Sequence, residues 1–188
     1  MTVGLEDAAT ESLLGETALS SLTVEGRSRV FQVPPIQHRL LVNLGGQVEF
    51  LGYDLDPNEL QAGETIHLTL YWRALDEMEV SYTVFMHLLD RENRIWGQRD
   101  SVPGNGTLPT TGWVKREVIA DEYEFTVRPD APPGEYLIEV GLYDAQTGQR
   151  LPVLSKACHE PRRRVEGPVL GGVAQEDRVL LNEIVVVK

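Results

Sequence analysis

A single cysteine, Cys158, stands in a chain of 188 residues. No intramolecular disulfide can form and no thiolate cage can hold zinc, so cysteine usage leaves the compartment open. Basic residues are scarce too, with 17 Lys and Arg against 29 Asp and Glu and a formal charge of −12. Recognition of nucleic-acid phosphates and of anionic membrane surfaces depends on clustered Lys and Arg, and both ligand classes are set aside. No apolar run approaches the roughly eighteen residues of a membrane helix, and direct membrane insertion of this chain is not expected. Residues 1–16 lack the basic and apolar regions of a secretory signal; if the chain is a piece of a larger protein, such a segment would lie upstream. Helical periodicity is nearly missing, with only 7–19 hinting at it through few apolar residues.

What is present is enough apolar material for a core: 41% of the chain is hydrophobic and 24% charged. From Leu41 onward, apolar runs alternate with turn clusters at the short spacing of an all-β sandwich. The expected strands are 47–54, 65–74, 82–90, 94–99, 117–128, 135–143 and 178–187, separated by turns rich in Pro, Gly, Asn and Asp. In 66–72, Ile66, Leu68, Leu70 and Trp72 point one way while His67, Thr69 and Tyr71 point the other. The run 82–89 is apolar on both faces, so a loop, the N-terminal arm or a partner should cover its outer side. Residues 1–40, with the stiff Val33-Pro34-Pro35, read as an arm ahead of a sandwich spanning 41–188. Within the arm, 18–24 repeats the apolar pattern of 180–186, either by chance or as the last strand of a preceding domain. Such an unpaired strand, or another edge, would offer a route to a homodimer.

Catalytic chemistry finds little footing. Cys158, His159 and Glu160 are adjacent, and neighbours in an extended chain point opposite ways, so they form no dyad. There is no Gly-x-Ser-x-Gly and no phosphate-cradling loop. His38, His67, His87 and His159 are scattered over separate segments and read as solvated or hydrogen-bonded histidines. Residues 54–59 begin like a calcium loop, but Leu60 and Thr65 occupy positions that need Gly and Glu, and an Asx-turn fits better. A glycosidase needs two carboxylates at a set separation, and among 29 acids a pair can always be nominated, so nomination decides nothing. No metal, no cofactor and no enzyme activity are expected. Arg162-Arg163-Arg164 reads as a solvated loop, and Asn105-Gly106-Thr107 fits a glycosylation sequon.

Sugar binding has some positive material, because saccharides stack their C–H faces on exposed aromatic rings while Asp, Asn, Gln and Arg take the hydroxyls. Trp113, in a polar loop, is the expected exposed platform; its alternative is to plug the open end of the sandwich. Trp96 is the second candidate, flanked by Gln98, Arg99 and Asp100, with a place in the core as its alternative. Trp72 reads as core.

Three stretches carry a resemblance: Leu51-Gly52-Tyr53-Asp54-Leu55 with Gly63-Glu64; 83–90 leading to 95–100; and Pro132-Pro133-Gly134-Glu135-Tyr136 with Gly141-Leu142-Tyr143-Asp144 and Thr147-Gly148. Together they resemble the β-sandwich domains C-terminal to the membrane part of bacterial glycosyltransferases of the protein-mannosyltransferase type. More loosely they are similar to the O-polysaccharide-binding domain of lipopolysaccharide ABC transporters. The resemblance covers residues 41–188 and implies an extracytoplasmic accessory domain beside glycan chemistry, partnered by a glycan or by the membrane part of a larger protein. It brings no catalytic residue. The expectation is therefore an all-β, antiparallel two-sheet sandwich of immunoglobulin-like or jelly-roll type with an extended N-terminal arm. Its expected role is non-catalytic glycan binding, with a structural or protein-interaction module as the alternative.

Overall fold

Alternating apolar residues bracketed by turn formers set most of the strands. The computed structural model describes residues 2–7, 12–18, 26–154, 174–175 and 177–188. One sheet of five strands holds, in spatial order, β11 (Val153–Leu154), β3 (His38–Leu44), β4 (Val48–Asp56), β6 (Thr65–Ala74) and β9 (Val118–Thr126). A second sheet of seven is built around β10 (Gly134–Asp144). On one edge of β10 lies β7 (Tyr82–Leu89), itself paired with β8 (Ile95–Ser101). β10 also pairs with β13 (Arg178–Leu180) and β14 (Val185–Val187), which lead on to β12 (Ala174–Gln175) and β5 (Glu59–Leu60). All pairings are antiparallel except the short one between β14 and β5. A separate hairpin joins β1 (Thr2–Asp7) to β2 (Ser12–Ala18), so the faint helical pattern over 7–19 resolves as strand from Ser12. The supposed repeat at 18–24 lies, beyond Ala18, outside the described residues, as do Cys158, His159 and the Arg162–164 run.

The core lies between the two large sheets. Phe50, Ile66, Leu68, Leu70 and Trp72 meet Val84, Met86, Leu88, Ile138, Val140 and Leu142, none more than 1% exposed. Each comes from the inward set of its strand, as the alternation over 66–72 implied; in 82–89, apolar on both faces, it is the packing that turns Val84, Met86 and Leu88 inward. The expected strand 178–187 is broken between β13 and β14, where Glu183 leaves the ladder and its amide donates to Tyr53 Oη at 3.0 Å. β3 begins at His38 and so crosses the expected 40/41 boundary. Its ladder with β4 skips register between Arg39 and Val42, a bulge set against Gly52 at φ +138°. β4 skips again opposite β6 between Phe50 and Gly52.

Residues 26–37 cross the outer face of the five-stranded sheet. Arg27 and Arg29 grip the fully buried Glu117 carboxylate at 2.5 and 2.6 Å. Val30 O accepts the Val118 amide at 2.7 Å, and Val33 and Ile36 pack on an outward cluster of Leu51, Tyr71 and Val118. Gln37 then trades hydrogen bonds with the Asp54 side chain and the Leu55 amide. Asp54 is thereby used up as a structural acceptor, from the Gln37 amide and from Tyr71 Oη at 2.7 Å. Burial, with the Asp54 carboxylate beside it, pushes the Tyr71 hydroxyl up to about 12. The expected Asx-turn over 54–59 is corrected: residues 54–56 end β4, and the Asp54 side chain accepts from Gln37 and Tyr71, outside the segment.

Candidate functional site on the outer face of the seven-stranded sheet

Because residues on a strand alternate between faces, register decides which side chains share a surface. On the outward side of β8, β7 and β10 the ladder aligns Gln98 with His87 and Glu139, and the next rung aligns Asp100 with Phe85 and Gly141. The first rung is held by charge. Glu139, only 4% exposed, takes His87 Nδ1 at 2.7 Å and Arg178 Nη1 at 2.5 Å. His87 Nε2 lies 3.4 Å from Asp100 Oδ1, which ties the two rungs together. On the second rung Gly141 leaves room for a flat ring: a Cβ there would stand 2.5 Å from Phe85 Cζ. The Arg150 guanidinium closes over Phe85 at 4.1 Å from the ring centre, and Tyr143 Oη donates to Asp100 Oδ2 at 3.2 Å. Arg150 thus covers part of the doubly apolar strand 82–89, an expected loop contribution, while residues 26–37 of the arm lie on the other sheet.

Burial alone would raise the Glu139 carboxyl, but hydrogen bonds from His87 and Arg178 outweigh it and hold the group below its ordinary value of 4.5. A depressed carboxylate contributes stability that is present above the unfolded value and lost as pH falls through the folded one. Glu139→Gln is therefore expected to cost about 1–3 kcal/mol near neutrality. The gap between variant and parent, followed by thermal unfolding across pH, should shrink below about pH 4.5. A gap constant down to pH 3 would show that the carboxylate's charge is not what it contributes.

At the end of the β10 face toward β14, the rungs give way to an apolar hollow of about 120 Å³. Leu89 and Leu137, directly paired, form its floor, and Ile184 and the Arg91–Glu135 ion pair at 2.6 Å form its rim. A polar bay of about 390 Å³ continues past Arg91 and Glu135 between the 90–94 turn and Pro132–Pro133. Trp96 organises this turn. Its Nε1 donates to Asp90 Oδ2 at 2.7 Å, and burial notwithstanding, that bond with those from Arg94 holds the Asp90 carboxyl down to about 2.

The five residues singled out from sequence part company here. Trp113 is 1% exposed, and its expected role as an exposed platform is corrected. The loop around it is polar, but its polar groups are spent inside: Trp113 Nε1 donates to Leu108 O, and Thr110 bridges Val80 O and the Tyr82 amide. With those bonds made, the ring plugs the sandwich, the alternative weighed above. Trp96 is half-buried, packed against the core and flanked by Arg94 and Arg128 at 5.7 and 5.1 Å. Gln98 and Asp100 do share the outer face, but Arg99 pairs with the core residue Met86 and so lies on the opposite side, where it donates to Asn105 Oδ1. The expected set of three around Trp96 is therefore divided by strand alternation. His87, Phe85, Glu139, Tyr143 and Arg150 were missed as a group. The outward polar residues of 83–87 and 139–143 were the available signal, but pairing β7 with β10 needs register that one sequence does not supply.

Comparison with known proteins supports the architecture. The C-terminal domain of Wzt is similar at a TM-score of 0.51 with 10% identity, covering 82% of each chain. A CARDB domain from Pyrococcus furiosus, solved in complex with di-metal ions, aligns at a TM-score of 0.38 and 10% identity over 82% of this chain and 95% of that one. No family model and no curated protein matches the chain. A β-sandwich fold shared at such low identity is a statement about architecture, and function has to come from the site.

Proposed function

We propose that the chain is a non-catalytic module that binds saccharide on the outer face of the seven-stranded sheet. The observation that carries this reading is the pair of rungs Gln98–His87–Glu139 and Asp100–Phe85–Gly141, where His87, Glu139 and Asp100 stand already ordered by contacts with one another and Gln98 stands exposed beside them. Ordered donors and acceptors spare a polyhydroxylated ligand the entropy of fixing them. Gln98 is exposed, and among the described residues its side chain has no hydrogen-bond partner, so it can turn to a hydroxyl. Pairing to Arg178 and His87 leaves Glu139 poorly suited to proton transfer, which speaks for binding over hydrolysis. The resemblance of residues 41–188 to glycan-associated sandwiches points to the same ligand class and to an extracytoplasmic setting beside a membrane glycosyltransferase. The alternative of dimerisation through the arm has less support, since residues 26–37 are engaged with their own sheet.

A glycan microarray followed by titration calorimetry with the best oligosaccharide tests the reading. Gln98→Ala should weaken binding about five- to twentyfold without loss of thermal stability, as expected for one ligand hydrogen bond removed, and Asp100→Ala should weaken it at least as much while costing about 1 kcal/mol of stability through its lost contacts with His87 and Tyr143. Binding untouched by both substitutions would move the site elsewhere, and an empty array would remove saccharide as the ligand class.

A further inference from the structure

We propose that the apolar hollow beside the rungs is a subsite for the methyl group of a 6-deoxyhexose, making deoxy sugars the favoured saccharides; this rests on the saccharide reading above. The apolar surface on offer here is aliphatic. Phe85 is capped by Arg150, and among the described residues the aliphatic groups left open next to the polar rungs are Leu137 at 37% and Ile184 at 43% exposure, over the buried Leu89, with Ile95 at 39% beside Leu89 on β8. A sugar substituent reaching the hollow therefore meets the Leu137 and Ile184 side chains, and its apolar contact there is small. The hollow is shallow and small, about 120 Å³, and a methyl group fits against its aliphatic floor.

Position links the hollow to the rungs. Leu137 is two residues from Glu139 on β10, and Leu89 two residues from His87 on β7, so each apolar side chain stands one strand repeat, about 7 Å, from its polar neighbour on the same face. That repeat is close to the breadth of a single substituted pyranose. Ring hydroxyls over Gln98 and His87 would direct a substituent at C5 into the hollow. The rim is electrically balanced, because Arg91 and Glu135 are paired with each other, so it offers no net charge to a carboxylate or an ammonium group. The charged groups at the rim are already engaged, Arg91 with Glu135 and Asp90 with Trp96 and Arg94, so a hydroxymethyl group entering in place of a methyl would set its hydroxyl against Leu137 and Ile184 at a penalty of about tenfold in affinity.

The test uses two pairs of glycosides that differ only in the 6-hydroxyl: methyl α-D-rhamnoside with methyl α-D-mannoside, and methyl α-L-fucoside with methyl α-L-galactoside. Titration with the full chain should give about tenfold tighter binding of the deoxy member in one pair, with saturation transfer strongest at its C6 methyl protons. In the doubly substituted Leu137→Asn, Ile184→Ser protein that preference should vanish, while the affinity for the parent hexoside stays within about threefold. Both positions are partly exposed, and circular dichroism confirms the variant's fold. Equal affinity within both pairs, or a preference that survives the double substitution, overturns the methyl subsite and leaves the saccharide reading standing. If neither pair binds and the microarray is also empty, both readings fall together.

Discussion

Trp113→Ala is expected to lower stability by about 3–5 kcal/mol, the cost of emptying a buried tryptophan site. For a domain of this size that corresponds to a fall of roughly 6–20 °C in Tm. The ring is 1% exposed and its indole nitrogen is bonded to Leu108 O, so the substitution opens a cavity and loses a hydrogen bond anchoring the 102–117 loop. Below its melting range the variant should bind saccharide as the parent does, because the outer-face residues belong to β7, β8 and β10 and do not lean on Trp113. Chemical denaturation with a parallel calorimetric titration separates the two effects. A Tm within 2 °C of the parent, joined to a loss of binding, would return Trp113 to the role of surface platform.

The contrast between Trp113 and the core strands shows which physics a single chain discloses. β6 was legible residue for residue as 65–74 because period-two alternation is a local signal that tertiary context reinforces. β3 was not, since His38 and Arg39 follow Pro34-Pro35 and the bulge at 39–42 depends on Gly52 in another strand. Trp113 misled for a related reason: loop polarity suggested exposure, whereas Thr110 and Trp113 satisfy their polar atoms within the fold. At the site, Gln98 and Asp100 were legible as polar positions near a turn. Their real partners, His87, Glu139 and Tyr143, come from strands more than ten and more than forty residues distant, and only the ladder brings them together.

Gly52→Ala is the second substitution with a large expected effect. Gly52 sits at φ +138°, a backbone conformation closed to side chains, and a Cβ there would strike His38 O. The obstacle is main chain, not the tip of a mobile side chain, so relief requires β3 and β4 to part. A loss of about 3 kcal/mol or more is expected from backbone strain and overpacking together. Hydrogen exchange should show it first along 38–44, whose ladder with β4 frames the bulge. A change under about 0.5 kcal/mol would mean that the strands accommodate the methyl group without separating.

The crossing of residues 26–37 over the five-stranded sheet gives the domain a back and a front. The strap occupies Leu51, Tyr71 and Val118 and fastens at Glu117, while the rungs of Gln98, His87 and Asp100 look the other way. Anything held through the strap is therefore presented with the rungs outward, as a hand is presented by its wrist. Immobilising the chain through the 26–37 strap on a sensor should leave the outer face of the seven-stranded sheet free, whereas coupling through lysines introduced on β8 should mask it.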